Sequence, residues 1–197
     1  TTLGPVDKYT IATGNTLTLA AATVTGKTVS GAGTLIINGL AEDTNLANVN
    51  PDGGVTANVA ASFDASGNGN LTNVDIYTIA AGNTLQLTAD QATGKTVNGE
   101  GTLTLTNASA TSTSDFSNVS VDVFDVSAAD LTAGTVTYKS VAAGDELILT
   151  SAQANTVTIG AAENANAVIT VKDLAAAANL TNIGVAASTV NVTVTGT

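Results

Sequence analysis

The sequence predicts an all-β fold, and within that class a parallel β-solenoid (β-helix) of short strands with Gly/Asn corners. Three observations carry the expectation. The first is an internal repeat. The run Tyr9-Thr-Ile-Ala-Thr-Gly-Asn-Thr-Leu-Thr-Leu19, continuing through Gly26-Lys-Thr-Val-Ser-Gly-Ala-Gly-Thr-Leu35, returns at Tyr77–Leu87 and Gly94–Leu103. Of 27 aligned positions 19 are identical, at an offset of 68 residues. Self-similarity at a fixed period is the signature of a repeat architecture. The second is a core without bulk: hydrophobic residues make up 44% of the chain, yet it holds only three Phe, three Tyr and no Trp. Such a core has to be built from thin aliphatic layers. The third is patterning, with Thr and Leu or Val alternating at period two between isolated glycines and Gly-Asn pairs.

Taken in order, residues 1–8 read as a lead-in. Strands are expected at Tyr9–Ile11, Thr16–Leu19, Lys27–Val29 and Thr34–Ile37, separated by Gly14-Asn15, Gly26, Gly31 and Gly33, where the chain needs positive φ. Leu17 and Leu19 point one way and Thr16 and Thr18 the other. After Gly39 a second motif recurs as Asn45-Leu-Ala-Asn-Val49, Asn70-Leu-Thr-Asn-Val74, Asp115-Phe-Ser-Asn-Val119 and Asn179-Leu-Thr-Asn-Ile183. Val55–Ala60, Val121–Val126 and Val190–Thr195 alternate as strands do, and Phe63–Asn70 reads as a polar turn. A degraded third copy of the first repeat begins at Val141 and keeps Gln153-Ala154 in register, then loses the Gly-Lys turn. Helical signal is confined to short connectors at Ser127–Leu131 and Leu174–Leu180. The chain thus divides into the lead-in (1–8), a first repeat (9–75), a second (76–137) and a degenerate third (138–197) that suits an end cap.

In a solenoid the period divides into three coils of roughly 23 residues stacked about 4.8 Å apart, with an inward corner asparagine laddering its amide along the stack. The competing arrangement is a tandem of immunoglobulin-like β-sandwiches. These favour longer strands and a bulky plug between sheets, which scarce aromatics and very short strands argue against.

Charge and composition exclude several functions. The five basic residues are all lysine (Lys8, Lys27, Lys95, Lys139, Lys172), set against 16 acids, for a net charge of −11. Nucleic-acid binding needs basic surface to displace counterions, and this chain has none to offer. Cysteine and histidine are absent, which removes the usual ligands of zinc, copper, haem and iron–sulfur clusters and the usual Ser–His and Cys–His nucleophiles. No apolar run approaches 18 residues, so no membrane insertion by a helix is expected. The chain lacks methionine even at position 1, as expected of a processed product or an excised fragment.

The run Gly82-Asn-Thr-Leu-Gln-Leu-Thr-Ala-Asp-Gln-Ala-Thr-Gly-Lys-Thr-Val-Asn-Gly-Glu-Gly-Thr-Leu103 resembles repeats in very large secreted surface proteins of Gram-negative bacteria. These include giant adhesins and S-layer-like proteins, often exported by type I secretion. The resemblance covers most of residues 9–107 and, weakly, 138–184. It implies an extracellular, cell-surface structural role. The calcium-binding nonapeptide Gly-Gly-x-Gly-x-Asp, common in such proteins, is absent. Pro51-Asp-Gly-Gly54 and Gly67-Asn-Gly-Asn70 match only fragments of it, so the resemblance assigns no calcium ligand.

Calcium is nonetheless the one cofactor the composition admits, because hard oxygen donors are plentiful. Asp43, Asp52, Asp64, Asp75 and Asp115 sit in or near Gly/Asn turns and are the candidates; the plainer role for such residues is capping local backbone. Asp122/Asp125 and Asp145/Glu146 are the close acidic pairs considered for glycosidase-type acid–base work. Asp122 alternates outward between valines, Asp145-Glu146 replaces a turn, and no aromatic platform exists for a sugar, so the expectation is no enzyme and no catalytic residue. Thr102-x-Thr104-x-Thr106 and Thr193-x-Thr195 form short threonine rows of the kind that order water on ice-binding β-helices. The expected function is a structural module of a bacterial surface protein (adhesin stalk, S-layer or filament subunit), partnered by itself, as a homo-oligomer or through neighbouring repeats, by edge or end pairing. The alternative is a carbohydrate- or host-binding adhesin module, with loops 40–54 and 107–118 carrying specificity toward a glycan.

Overall fold

The computed structural model describes residues 6–106, 114–131, 136–138, 144–156, 168–174, 180 and 189–192. It is nearly all-β, a solenoid of about seven turns. Among the described residues every strand pairing is parallel. That excludes the tandem sandwiches, whose sheets are antiparallel.

Three ladders form the main walls, and a short fourth pairs Ser114–Phe116 with Val136–Tyr138. The first joins Lys8–Thr10 to Thr28–Ser30, stacks Tyr9 on Val29, and ends with a single bridge from Val29 to Val49. The second runs through Thr16–Ala20, Thr34–Asn38, Val55–Val59, Ile76–Ile79 and the first parts of Thr96–Thr106 and Val119–Ala128. Its inward column reads Leu19, Ile37, Ala57, Tyr77, Val97, Val119. The third begins at Phe63–Asp64 and continues through Thr84–Thr88, the second parts of the same two long strands, Glu146–Thr150, Val168–Lys172 and Thr189–Val192. Phe63, Leu85, Leu103, Phe124, Leu147 and Ile169 follow one another up it.

Equivalent strands of the two repeats therefore occupy different walls. Tyr9 lies on the first ladder, but Tyr77, its counterpart 68 residues on, stands on Ala57 in the second. The corners explain the shift. Backbone bonds between successive turns link Gly26 N–H to the Asn45 carbonyl (2.9 Å), Leu46 N–H to Asn70 (3.3 Å) and Gly94 N–H to Asp115 (2.9 Å). The middle coil is thus the longest, and it holds the additional strand Phe63–Asp64 that starts the third ladder as the first one ends. The expectation of uniform coils of about 23 residues is corrected accordingly: strand partners are as few as 18 residues apart (Leu17 and Leu35) and as many as 23 (Phe124 and Leu147).

Alternation along each strand sends Leu35, Ile37, Leu85, Leu87, Leu103 and Leu105 wholly inside, and the buried residues form one cluster running through both repeats. Each such aliphatic side chain contributes about 1.5–3 kcal/mol on burial. Phe116 and Phe124 fill a wider section, edge to face at 5.5 Å.

The Asn-Leu-x-Asn-Val motif forms one corner of the coil. Val49 N–H donates to Leu46 O (3.0 Å) and Val74 N–H to Leu71 O (3.1 Å), a turn that aims the first and fourth residues inward. Leu46, Val49, Leu71, Val74, Phe116 and Val119 are buried. The inward amide ladder expected here does not form. The polar side chains cap backbone instead: Asn45 Oδ1 accepts from Ala47 N–H (3.1 Å) and Asp115 Oδ1 from Ser117 N–H (2.9 Å). The apolar neighbour takes the inside because an inward amide would have to satisfy all its hydrogen bonds away from water.

Short helices occur at Ala21–Val24, Ala89–Ala92 and Ser151–Thr156. They differ from the connectors expected at Ser127–Leu131, where Ser127 and Ala128 instead end a strand, and at Leu174–Leu180, most of which lies outside the described residues. The second and third helices share a device. Thr88 and Gln91 form a capping box, and Gln91 Nε2 also donates to the carbonyls of Ala65 and Asn68 in the coil beneath, both at 3.0 Å. Gln153 does the same, its Oε1 accepting from Thr150 N–H and its Nε2 donating to Val126 O and Ala129 O, all at 2.7 Å. This is why the degraded copy keeps Gln153 after losing other features. The first copy has Thr23 at this position, and its helix has no side-chain cap.

Candidate functional site

The solenoid brings the five aspartates together in pairs at best. Asp43 and Asp64 line one open cleft, beside Glu42 and Asn68, where successive corners meet. Asp52 and Asp75 line another, between the Pro51–Gly54 corner and Thr72–Asn73. Asp115 belongs to neither. Three of the five serve the backbone: Asp64 Oδ1 accepts from Ser66 N–H (2.8 Å), Asp75 Oδ2 from Val55 N–H (2.8 Å) and Asp115 from Ser117. Hydrogen bonds from Ser66 and Ser117 hold the Asp64 and Asp115 carboxyls below the usual carboxylate range. Asp43 and Asp52 are exposed. Among the described residues no group of three or more acidic side chains is arranged to hold a metal ion.

The acidic pairs are also dispersed. Asp122 faces solvent on the outside of its strand. Asp125 accepts from the Ser127 backbone (2.9 Å) and pairs with Lys172 at 3.0 Å, two coils away. Glu146 accepts from the Thr170 hydroxyl on the neighbouring strand. Asp125, Glu146 and Lys172 thus put charge of both signs on the outer surface of the third ladder. Thr102, Thr104 and Thr106 lie on that surface over Thr84, Gln86 and Thr88, but the next coil brings Val123, Asp125 and Ala128, so threonine repeats across two strands and goes no further that way. Thr193 and Thr195 lie outside the described residues.

Residues 40–54 do not project as a binding loop. Leu40, Thr44, Leu46 and Val49 are buried, and Asn68 Nδ2 donates to the carbonyls of Glu42 and Thr44, both at 2.8 Å, so the segment is a wall of the coil. Of the second proposed loop, residues 107–113 lie outside the described residues.

The feature that sequence reasoning missed is the outer surface of the second ladder. One outward row reads Thr18, Ile36, Thr56, Ile76, Thr96; beside it runs Asn38, Asn58, Thr78, Asn98, Ser120. Asn58 Nδ2 donates to Asn38 Oδ1 at 2.7 Å, so two amides of adjacent coils do pair here, on the outside. None of these residues carries charge. The rows combine residues from both repeats, which is why aligning the repeats against each other conceals them.

The chain matches no protein-family model, no curated protein and no solved structure. Among the described residues no helix is long and apolar enough to cross a membrane.

Proposed function

We propose that this chain is a non-enzymatic structural module of a bacterial extracellular surface protein: a segment of an adhesin stalk, S-layer or filament whose role is to be a stiff, continuous rod. The observation that carries this reading is the unbroken stack. Strand pairing passes from the first repeat to the second without a break, with Thr56 opposite Ile76, and the core crosses the same boundary. Backbone hydrogen bonds, aliphatic columns and the glutamine staples all run along the axis, so pulling along the rod loads many bonds together. The bacterial surface setting follows from the resemblance of residues 82–103 to repeats of giant secreted proteins.

Extension by a further copy is part of the proposal. Among the described residues Thr16–Ala20 pairs on one edge only, with Thr34–Asn38, and an open parallel edge is a template for another strand. Negative-stain microscopy and small-angle scattering over a concentration series test it. Rods that lengthen with concentration in steps of the solenoid height, about 35 Å for seven turns, are expected. A globular monomer at every concentration that binds on a glycan array would sink the reading in favour of a carbohydrate-directed module.

A further inference from the structure

We propose that the uncharged outer face of the second ladder is a lateral contact surface, and that its occupant is a second copy of this chain docked face to face. The inference rests on the rod reading above and adds the surface through which rods pair side by side.

The argument begins with charge. At −11, two copies repel one another, and close approach is least unfavourable where neither presents a carboxylate. The third ladder's outer face shows Asp125, Glu146 and Lys172, and the first ladder's strands adjoin Lys8 and the Lys27–Asp7 pair. The corners carry Asp43, Asp52, Asp64 and Asp75. The second ladder presents neutral outward rows across six successive strands, and its charges stand at the margins: Asp75 and Lys95 just before Ile76 and Thr96, Glu100 and Asp122 two residues beyond Asn98 and Ser120.

Shape and spacing point the same way. Stacked parallel strands with repeating side chains are the arrangement in which identical sheets interdigitate, Asn ladders contributing, about 10 Å apart. The row alternating Thr56 with Ile36 and Ile76 offers ridges and gaps at one strand spacing, so a copy shifted by one coil fills them. Thr56 is the middle of its five rungs, and a two-fold, self-complementary contact brings a central residue opposite itself or its nearest neighbours. The face is about 24 Å tall over its five strand steps and about 14 Å wide. That is well under the roughly 800 Å² per partner of a stable interface. A single pair therefore meets weakly, and contacts repeated along two rods reinforce one another. Because repulsion between like-charged chains is what opposes the contact, added salt strengthens it.

Disulfide trapping tests this directly, since the chain has no native cysteine. Thr56→Cys probes the neutral face and Thr104→Cys the third ladder's outer face; both positions point outward, and circular dichroism checks that each variant is folded. Under a mild added oxidant, T56C is expected to form dimers about tenfold or more faster than T104C, faster still at higher salt, and no faster than T104C once Asn58→Lys places a charge on the face. Equal rates for the two single variants, or a T56C rate that falls with salt, overturn the proposal. Microscopy of the same samples separates the two levels. Single rods without a T56C advantage remove only the lateral contact, whereas absence of rods removes the structural reading beneath it.

Discussion

Gly99 lies directly over Ile79 of the preceding coil, so close that a Cβ at Gly99 would fall under 3.0 Å from the Ile79 carbonyl oxygen. Gly31 and Ile11 repeat the relationship in the first copy, with φ of +103° at Gly31 and +114° at Gly99. Two constraints meet at each site: a left-handed backbone and no room for a side chain. Glycine is therefore required by the crossing of consecutive coils, and its recurrence in the sequence reports the stacking itself.

Gly99→Ala is expected to cost about 3 kcal/mol or more, adding the clash with backbone to the conformational strain. Gly94→Ala is the control. Gly94 also has positive φ (+70°), but nothing lies within 4 Å of its would-be Cβ, so only the left-handed penalty of about 1–2 kcal/mol applies. Urea midpoints at unchanged m-value measure both. Similar losses for the two variants would show that coil contact at Gly99 does not matter.

The staples give a second contrast. The Gln153 side chain is buried at 1% exposure and ties its own helix to the carbonyls of Val126 and Ala129. Gln153→Ala leaves those acceptors and the Thr150 N–H unsatisfied inside the coil, at a cost of about 2–3 kcal/mol. Gln91 makes the same bonds from a half-exposed position, where water substitutes, so Gln91→Ala should cost about half as much. Thermal melts of the two variants rank them; a larger loss for Q91A than for Q153A contradicts the burial argument.

Much of this was legible in the residues and some was not, for physical reasons. Alternation at Thr16–Leu19 and Thr84–Leu87 and the glycines between them specify short strands with one face inside, and parallel stacking follows because such thin strands bury little alone. The number of residues per turn is a different matter. It depends on the corner insertion that carries Phe63-Asp64, a non-repeated stretch that reads locally as a polar turn, and this one insertion moves the second repeat's strands to new walls. The helices were missed although Thr88-Ala-Asp-Gln91 and Thr150-Ser-Ala-Gln153 both carry a capping-box pattern, because four to six residues are too few to show helical periodicity. The neutral face was invisible for the same reason as the coil length: its rows are assembled by register between residues 18–22 apart, and register is decided at the corners.

Tyr77 supplies a prediction about pH. Its ring is the largest side chain fully inside the second ladder, and its hydroxyl donates to the Leu71 carbonyl at 3.3 Å. Burial, aided by the nearby Asp75 carboxylate, pushes the phenol well above its ordinary value of about 10. The neutral form is the one the fold stabilises. Its contribution is complete below the unfolded-state value and is lost as pH rises from about 10 toward the higher folded-state value. Phenolate at Tyr77 should therefore appear only as the chain unfolds. In a chain carrying Tyr9→Phe and Tyr138→Phe, so that Tyr77 is the sole phenol, near-ultraviolet phenolate absorbance and the far-ultraviolet sheet signal are expected to change together under alkaline titration. The further change Tyr77→Phe removes both the absorbance and the alkaline-sensitive part of the stability, at a cost of about 1 kcal/mol at neutral pH for the lost hydrogen bond. Ionisation near pH 10 with the sheet signal intact would mean that water reaches this hydroxyl, and that the coil between Leu71 and Tyr77 opens in solution.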